Sequence, residues 1–224
     1  MWILGAGGHG RVVADAVAAG GRFAEVVFFD DAPGGRACSG RFRFGGDSAA
    51  FARPAPAADS GPRVERHIAI GDNARRDELA RDCEARGLPP LAVVVHPAAV
   101  VSAEATLGPG CFVAAGAVVA PGAQLDAVAI VNHGASVDHD GRIGRAVHVG
   151  PGARLGGNVS VGERAWIGIG AAVRHDIRIG ARAVVGAGAV VVADVADEAR
   201  VAGNPARPLP PVKEPEQGRM HPHA

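Results

Sequence analysis

Residues 131–149 read VNHGASVDHDGRIGRAVHV. Val131, Val137, Ile143 and Val149 mark a step of six, and the register continues in both directions. It begins at Val101 and passes through Leu107, Val113, Val119 and Leu125. Beyond the quoted stretch it runs through Leu155, Val161, Ile167, Val173, Ile179, Val185 and Val191, with no insertion. A period of six fits neither the turn of an α-helix, about 3.6 residues, nor the heptad of a coiled coil. It fits a solenoid of short strands, in which each hexapeptide stacks on an earlier one.

The position four after each aliphatic is also small or apolar, from Ala105 and Cys111 through Ala189 and Val195. Two inward residues per six suit a narrow triangular coil. Gly follows the aliphatic in half the repeats, as at Gly108, Gly144, Gly162 and Gly180, and is expected to ease the corners. The pattern resembles the left-handed parallel β-helix of hexapeptide-repeat transferases. Three hexapeptides per coil would give about five coils. A purely ice-binding solenoid would need ranks of threonine, and the repeats carry only Thr106.

The chain of 224 residues is long enough for two small domains. Its formal net charge of zero gives no reason to expect nucleic acid or an acidic membrane as partner. Cys38, Cys83 and Cys111 lack metal-type spacing and suggest no disulfide framework. Neither a signal peptide nor a membrane-crossing stretch is visible, so a cytoplasmic protein without membrane insertion is expected.

Ahead of the solenoid the pattern changes. Residues 2–5 read as a buried strand, followed by Gly5-Ala6-Gly7-Gly8-His9-Gly10 and a helix from about Arg11 to Ala19. A second strand covers Glu25 to Phe29 and ends in Asp30-Asp31. From Ala32 to Arg66 the chain is rich in Gly, Pro and Ala, and part of it is expected to be a surface loop, with a short helix near Asp47–Phe51. His67 to Asp72 reads as strand and turn, Ala74 to Arg86 as a polar-faced helix, and Leu91 to Val95 as a strand. Alternating strands and helices predict a small parallel Rossmann-like α/β sheet. Gly5, Gly7 and Gly10 match G-x-G-x-x-G, and Asp30 follows at the distance of a dinucleotide fold. About 95 residues are too few for both mononucleotide halves, so one nucleotide fits better than NAD.

Within the solenoid, Val131 to Asp140 is unusually polar. His133, His139 and His175 each lie two places after an inward aliphatic and should point outward. His139 has Asp138 and Asp140 beside it; either could hold its ring and raise its basicity, as a general base requires. His139 and His175 also have the separation of two zinc ligands in β-helical carbonic anhydrases. The third ligand would fall at Gly180, so no catalytic metal is expected.

At these residues the chain resembles the sugar O- and N-acetyltransferases related to sialic acid O-acetyltransferase. Within them it is most similar to enzymes acting on nucleotide-linked 4-amino-sugars. The likeness rests on Gly5–Gly10, Phe28–Asp31, Ile68–Asn73, Val95-His96-Pro97, Asp138-His139-Asp140 and Val201–Ala206. It implies that Gly7, Gly8, His9 and Gly10 hold the diphosphate of a UDP- or GDP-linked sugar. Asp30 and Asp31 would contact the nucleoside, with Gly71, Asp72 and Asn73 lining the same pocket. Asp140 stands where the family often has Glu. His139 would take the proton from the attacking amine by direct transfer. A ping-pong route is not expected, since Ser136 has no clear triad and Cys111 should be buried. His148, Ile169, Gly186, Ala187, Gly188 and Arg207 would bind acetyl-CoA as co-substrate.

The resemblance further implies a homotrimer with each active site between subunits, and a role in surface-glycan synthesis. Residues 1–94 would form the nucleotide-sugar domain, 95–207 the β-helix, and 208–224 a disordered tail after Pro208, Pro210 and Pro211. A sialic-acid-type O-acetyltransferase and a non-catalytic nucleotide-sugar scaffold are the alternatives.

Overall fold

The computed structural model describes residues 1–32, 42–53 and 64–210. Strands β1 (Trp2–Leu4), β2 (Val27–Phe29), β3 (Arg43–Gly46) and β4 (Arg66–Ile68) form one parallel sheet in the order β3-β2-β1-β4. Helices α1 (Gly8–Gly20), α2 (Ser48–Phe51) and α3 (Asn73–Ala85) follow β1, β3 and β4. Asp47 caps α2 through Ala50 N, and Asp72 caps α3 through Arg75 N.

Two boundaries differ from the sequence reading. Helix α1 begins at Gly8 rather than Arg11, because Gly10 belongs to its first turn. A Cβ on Gly10 would lie 1.9 Å from Gly5 O, so only glycine lets the helix start so close to β1. The run from Ala32 to Arg66, of which part was expected to be a loop, also contains β3, an edge strand whose Gly45 lies under the Phe29 ring. Residues 33–41 and 54–63 of that run, with Cys38, lie outside the described residues. So do residues 211–224 of the expected tail. Pro208, expected in the tail, instead pairs with Val201 in an antiparallel turn-back.

From Val94 onward, two-residue strands recur every six residues and form a parallel β-helix. The first face starts at Val94–Val95, the second at Val100–Val101 and the third at Thr106–Leu107. Each face returns after eighteen residues, as Phe112 pairs with Ile130 and Ile130 with His148. The aliphatic register and the small residues four places on form one buried core.

The corner glycines have a different reason from the one expected. Those just after the aliphatic are not in the left-handed region; they face the next coil. A Cβ on Gly162 would lie 2.4 Å from Ala181 N. The left-handed corner is two residues later. Gly takes it at Gly152, whereas Asp140, Asn158 and Asp176 take it with φ near +58°.

The α/β unit docks on the first face and on the corner between the third and first faces. Its apolar core continues through Val94, Phe112 and Ile130. Helix α3 reads as polar because its buried side is charged. Arg76, 1% exposed, donates to Val128 O and Ala146 O at 2.8 Å each, and also to Ile70 O and Gly71 O. Burial lowers its guanidinium to about 10, leaving it charged at neutral pH. Asp77 receives Arg145 at 2.5 Å, Arg164 at 2.6 Å and Arg81 at 3.2 Å. Asn73 donates to Arg164 O and Ala165 O at 3.0 Å.

Candidate active site

The turns after β1, β2 and β4 share the carboxyl end of the sheet. The chain leaves β1 for β2 on one side and later returns to β4 on the other. This makes the crevice beside β1 a topological switch point, where open α/β sheets take ligands. Gly7 and Gly8 face open space, since a Cβ on either would meet nothing within 4 Å. Helix α1 has neither a side-chain cap nor an acid in its first turn, leaving its N–H groups to an anion.

Asp30 has a structural duty here. Its two oxygens accept from Ala6 N at 2.6 Å and Ala32 N at 2.8 Å, fixing the glycine turn. Asp31 accepts from Ser48 N at 2.8 Å, and hydrogen bonding from Ser48 lowers its carboxyl below the ordinary range. Asp72 is the α3 cap, and the Asn73 amide is turned into the β-helix. Gly71 sits beside them, with its carbonyl held by Arg76.

His9 joins this crevice to the first face of the β-helix. Its ring lies 5.5 Å from Phe112 and 6.2 Å from His148, centre to centre. His148 is 5% exposed, lies 4.2 Å from the Trp166 ring centre with the two rings tilted, and faces the Asn132 amide through Nε2 at 3.0 Å. Its Nδ1 and His9 Nε2 are buried without a hydrogen-bond partner. Burial lowers His9 to about 3 and His148 to about 4, assisted by the Arg76 charge, so both are neutral imidazoles. Trp166 was not among the residues expected from sequence. Its signal was its place eighteen after His148, directly above it in the register.

The remaining positions divide between two corners. Ile169 is 62% exposed at the corner between the first and second faces, and Gly188 N donates to its carbonyl at 2.8 Å. Gly186 and Ala187 continue that column, while Arg207 is exposed on the turn-back strand at the end of the first face. His139 and Asp140 lie at the next corner, one hexapeptide side away and two coils lower than Ile169. His139 Nδ1 meets Asp140 Oδ2 at 2.9 Å, and its backbone N–H donates to Asp138 Oδ1 at 2.7 Å. The bond to Asp140 raises the imidazole above its ordinary value; the charges of Asp138 and Asp176 add to this. The left-handed backbone of Asp140, φ +59°, turns its carboxylate back onto the ring.

His175 lies two coils above His139 and is exposed, 3.9 Å from Asp176. Among the described residues, no three His, Cys, Asp or Glu side chains are grouped to hold a metal. Cys111 is wholly buried, and burial pushes its thiol up to about 12, so it is no nucleophile. No described helix is long and apolar enough to cross a membrane.

Comparison with known proteins gives two family matches: the PglD N-terminal domain over residues 1–83, and the bacterial transferase hexapeptide (six repeats) over residues 158–193. The second identifies the solenoid as the left-handed hexapeptide form. Among solved structures, the acetyltransferase domain of PglB from Neisseria gonorrhoeae FA1090, in complex with acetyl coenzyme A, is 40% identical. The match covers 93% of this chain and 98% of that one, with a TM-score of 0.85. PerB from Caulobacter crescentus, in complex with CoA and GDP-perosamine, is 39% identical over 93% and 96% of the two chains, with a TM-score of 0.80. WeeI from Acinetobacter baumannii AYE is 27% identical over 93% and 98%, with a TM-score of 0.78. None of the curated protein sequences matched.

Proposed function

This chain belongs to the sugar acetyltransferases that join a PglD-type N-terminal domain to a hexapeptide β-helix, and it is an acyltransferase using acetyl-CoA. From that premise we propose that its acceptor is the amine of a nucleotide-linked 4-amino-sugar, and that it serves surface-glycan synthesis in the cytoplasm. Residues 1–94 hold the nucleotide sugar and 95–207 carry the chemistry. The carrying observation is the switch-point crevice with its uncapped helix, which opens toward His148 on the β-helix. An anion-binding turn so close to the transferase face suits a diphosphate-linked acceptor better than a free sugar.

In the reaction, Asp140 accepts from Nδ1–H of His139 and leaves Nε2 as the base. Nε2 takes the amine proton as the nitrogen attacks the thioester carbonyl; the C–S bond then breaks and the same proton passes from the imidazolium to the sulfur, so CoA leaves as a thiol and His139 is restored. His148, kept neutral, presents a hydrogen-bonding edge toward the acetyl group, while Ile169, Gly186–Gly188 and Arg207 line the path of the CoA arm.

Two observations support a homotrimer. The two halves of the site occupy different corners of one chain, on either side of the second face. That face carries outward Val100 and Val118, 64% and 39% exposed, with Ala172 and Val190 above them. Three copies turning this face to a common axis would bring one chain's His139 corner to its neighbour's Ile169 corner. Such a heterologous contact closes into a ring.

The test is thiol release from acetyl-CoA with a panel of UDP- and GDP-linked 4-amino-sugars, with His139→Ala alongside. Release with one nucleotide series, reduced about 10²–10⁴-fold in the variant, is the expected result. Near-wild-type turnover in that variant removes His139 as base. Release with free sialic acids alone would make the enzyme an O-acetyltransferase.

A further inference from the structure

Two glycines in the β-helix, Gly141 and Gly157, answer to neither of the two requirements that explain the others; Gly141 lies against Val137 of its own coil, whereas Gly157 has a neighbour one coil away. Gly157 is two places after the inward Leu155. Across the sixteen repeats this position holds Ala, Pro, Arg, Glu, Ile or His, and Gly only once. Its φ is not in the left-handed region, so no conformational demand selects it. No backbone of the next coil crowds it either. The three atoms nearest to where its Cβ would be all belong to the His139 ring: Nε2 at 2.4 Å, Cε1 at 2.6 Å and Cδ2 at 3.0 Å.

Position 157 lies eighteen residues after 139, hence one coil toward the C-terminus on the same corner. The imidazole of His139 therefore leans across the groove between coils and rests its reactive edge where any other residue would have a side chain. Asn158 N–H, the next along, donates to His139 O at 2.8 Å and pins the two coils together at this point.

We propose that Gly157 is a positioning residue for the base: the missing Cβ is the seat that holds the His139 ring in line with Asp140. This inference rests on His139 being the base. Ordinary carbon contacts are about 3.5 Å or more, so an added methyl must push the ring edge roughly 1 Å away. A displacement of that size can cost about 10²-fold in rate. The backbone itself accepts alanine, so Gly157→Ala should fold.

The experiment compares wild type, Gly157→Ala, His139→Ala and the double variant. Expected for Gly157→Ala is a kcat lower by about 10²-fold, with both KM values within about threefold of wild type. The double variant should be no slower than His139→Ala alone, because the glycine acts only through the ring. NMR titration of the His139 ring supplies a readout that needs no acceptor: Gly157→Ala should return its pKa toward the ordinary value as the Asp140 bond lengthens. An unaltered His139 titration, or the same fold-loss in both backgrounds, would overturn the proposal. Failure of the base itself reads out separately, in the His139→Ala single variant, and the proposal then falls with it.

Discussion

Asp77 gives the most direct test of how the two parts of the chain are joined. Its side chain is wholly buried between α3 and the β-helix and is gripped by Arg145, Arg164 and Arg81. Asp77→Asn keeps the shape, retains one acceptor oxygen and turns an amide N–H toward the guanidiniums. Removing one partner of a buried ion pair costs about 3–5 kcal/mol, since the remaining charge loses its compensation. Here the arginines keep partial relief: Arg145 retains Glu84 at 3.0 Å, and Arg164 is 29% exposed. The lower end, about 3 kcal/mol, is therefore expected. At roughly 2–4 °C per kcal/mol for a chain of this size, Tm should fall by about 6–12 °C. Differential scanning calorimetry measures the shift, and hydrogen exchange locates it. The α3 amides should lose protection, while those of the upper coils keep theirs. A Tm within 2 °C of wild type, or protection lost evenly along the solenoid, would refute the reasoning. Acid should have a related effect. Burial alone would raise the Asp77 carboxyl, but the three guanidiniums together hold it below the ordinary range. The stability it contributes is then complete above about pH 4 and lost as pH falls through the lowered value.

Three further outcomes are expected. As the proposed base His139 must be neutral, and its pKa is raised, so activity should fall with decreasing pH through a limb above the ordinary imidazole value of about 6.5. Asp140→Asn should move that limb downward in a kcat/KM profile; an unmoved limb would deny Asp140 its role. His9, His67 and His148 are buried and neutral, with values lowered to about 3, 4 and 4, chiefly by burial. Their stability contribution is complete above about pH 6.5 and lost as pH falls toward about 4, where the unfolded chain takes three protons that the folded chain refuses. The unfolding free energy from urea titrations should drop steeply below pH 6, by up to about 4 kcal/mol per pH unit; a flat profile from pH 7 to 5 would contradict this. Finally, Gly162→Ala should destabilise more than Gly170→Ala. The first forces a methyl onto the Ala181 backbone, at about 3 kcal/mol. The second only strains a φ of +66° in open space, at about 1–2 kcal/mol, and the reverse order in thermal melts would be decisive against the packing argument.

What the sequence revealed and what it hid follow from how far each interaction reaches. The inward register was legible because a strict period shows itself without any partner. So was the His139–Asp140 pair, whose members are adjacent and whose spacing is fixed by one corner. The expectation for α3 caught its helical span but missed its docked side. Arg76 and Asp77 look like solvent-facing charges until the fold brings backbone carbonyls of the β-helix to the first and Arg145 and Arg164 to the second. Asp30, Asp72 and Asn73 were expected to line the nucleotide pocket. Their side chains also bond backbone groups of this chain, a duty that no spacing in the sequence displays. The glycines after each aliphatic were visible, but their cause lies in the next coil. Strand β3 was hidden because Gly45 and Gly46 carry the marks of a loop, and only the Phe29 ring explains the first of them.

A coil of eighteen residues and a side of six make the chain keep phase as it climbs. An insertion of six residues between His139 and Ile169 would leave every hexapeptide legal, yet turn all that follows through one third of a revolution. Ile169 would leave its column for another edge of the prism. An insertion of eighteen would keep every edge aligned and merely lift the upper column by one strand spacing, about 4.8 Å. Length changes in this solenoid are thus filtered by arithmetic: whole revolutions alter the distance between His139 and the Ile169 column, and fractions of one take them off the same side.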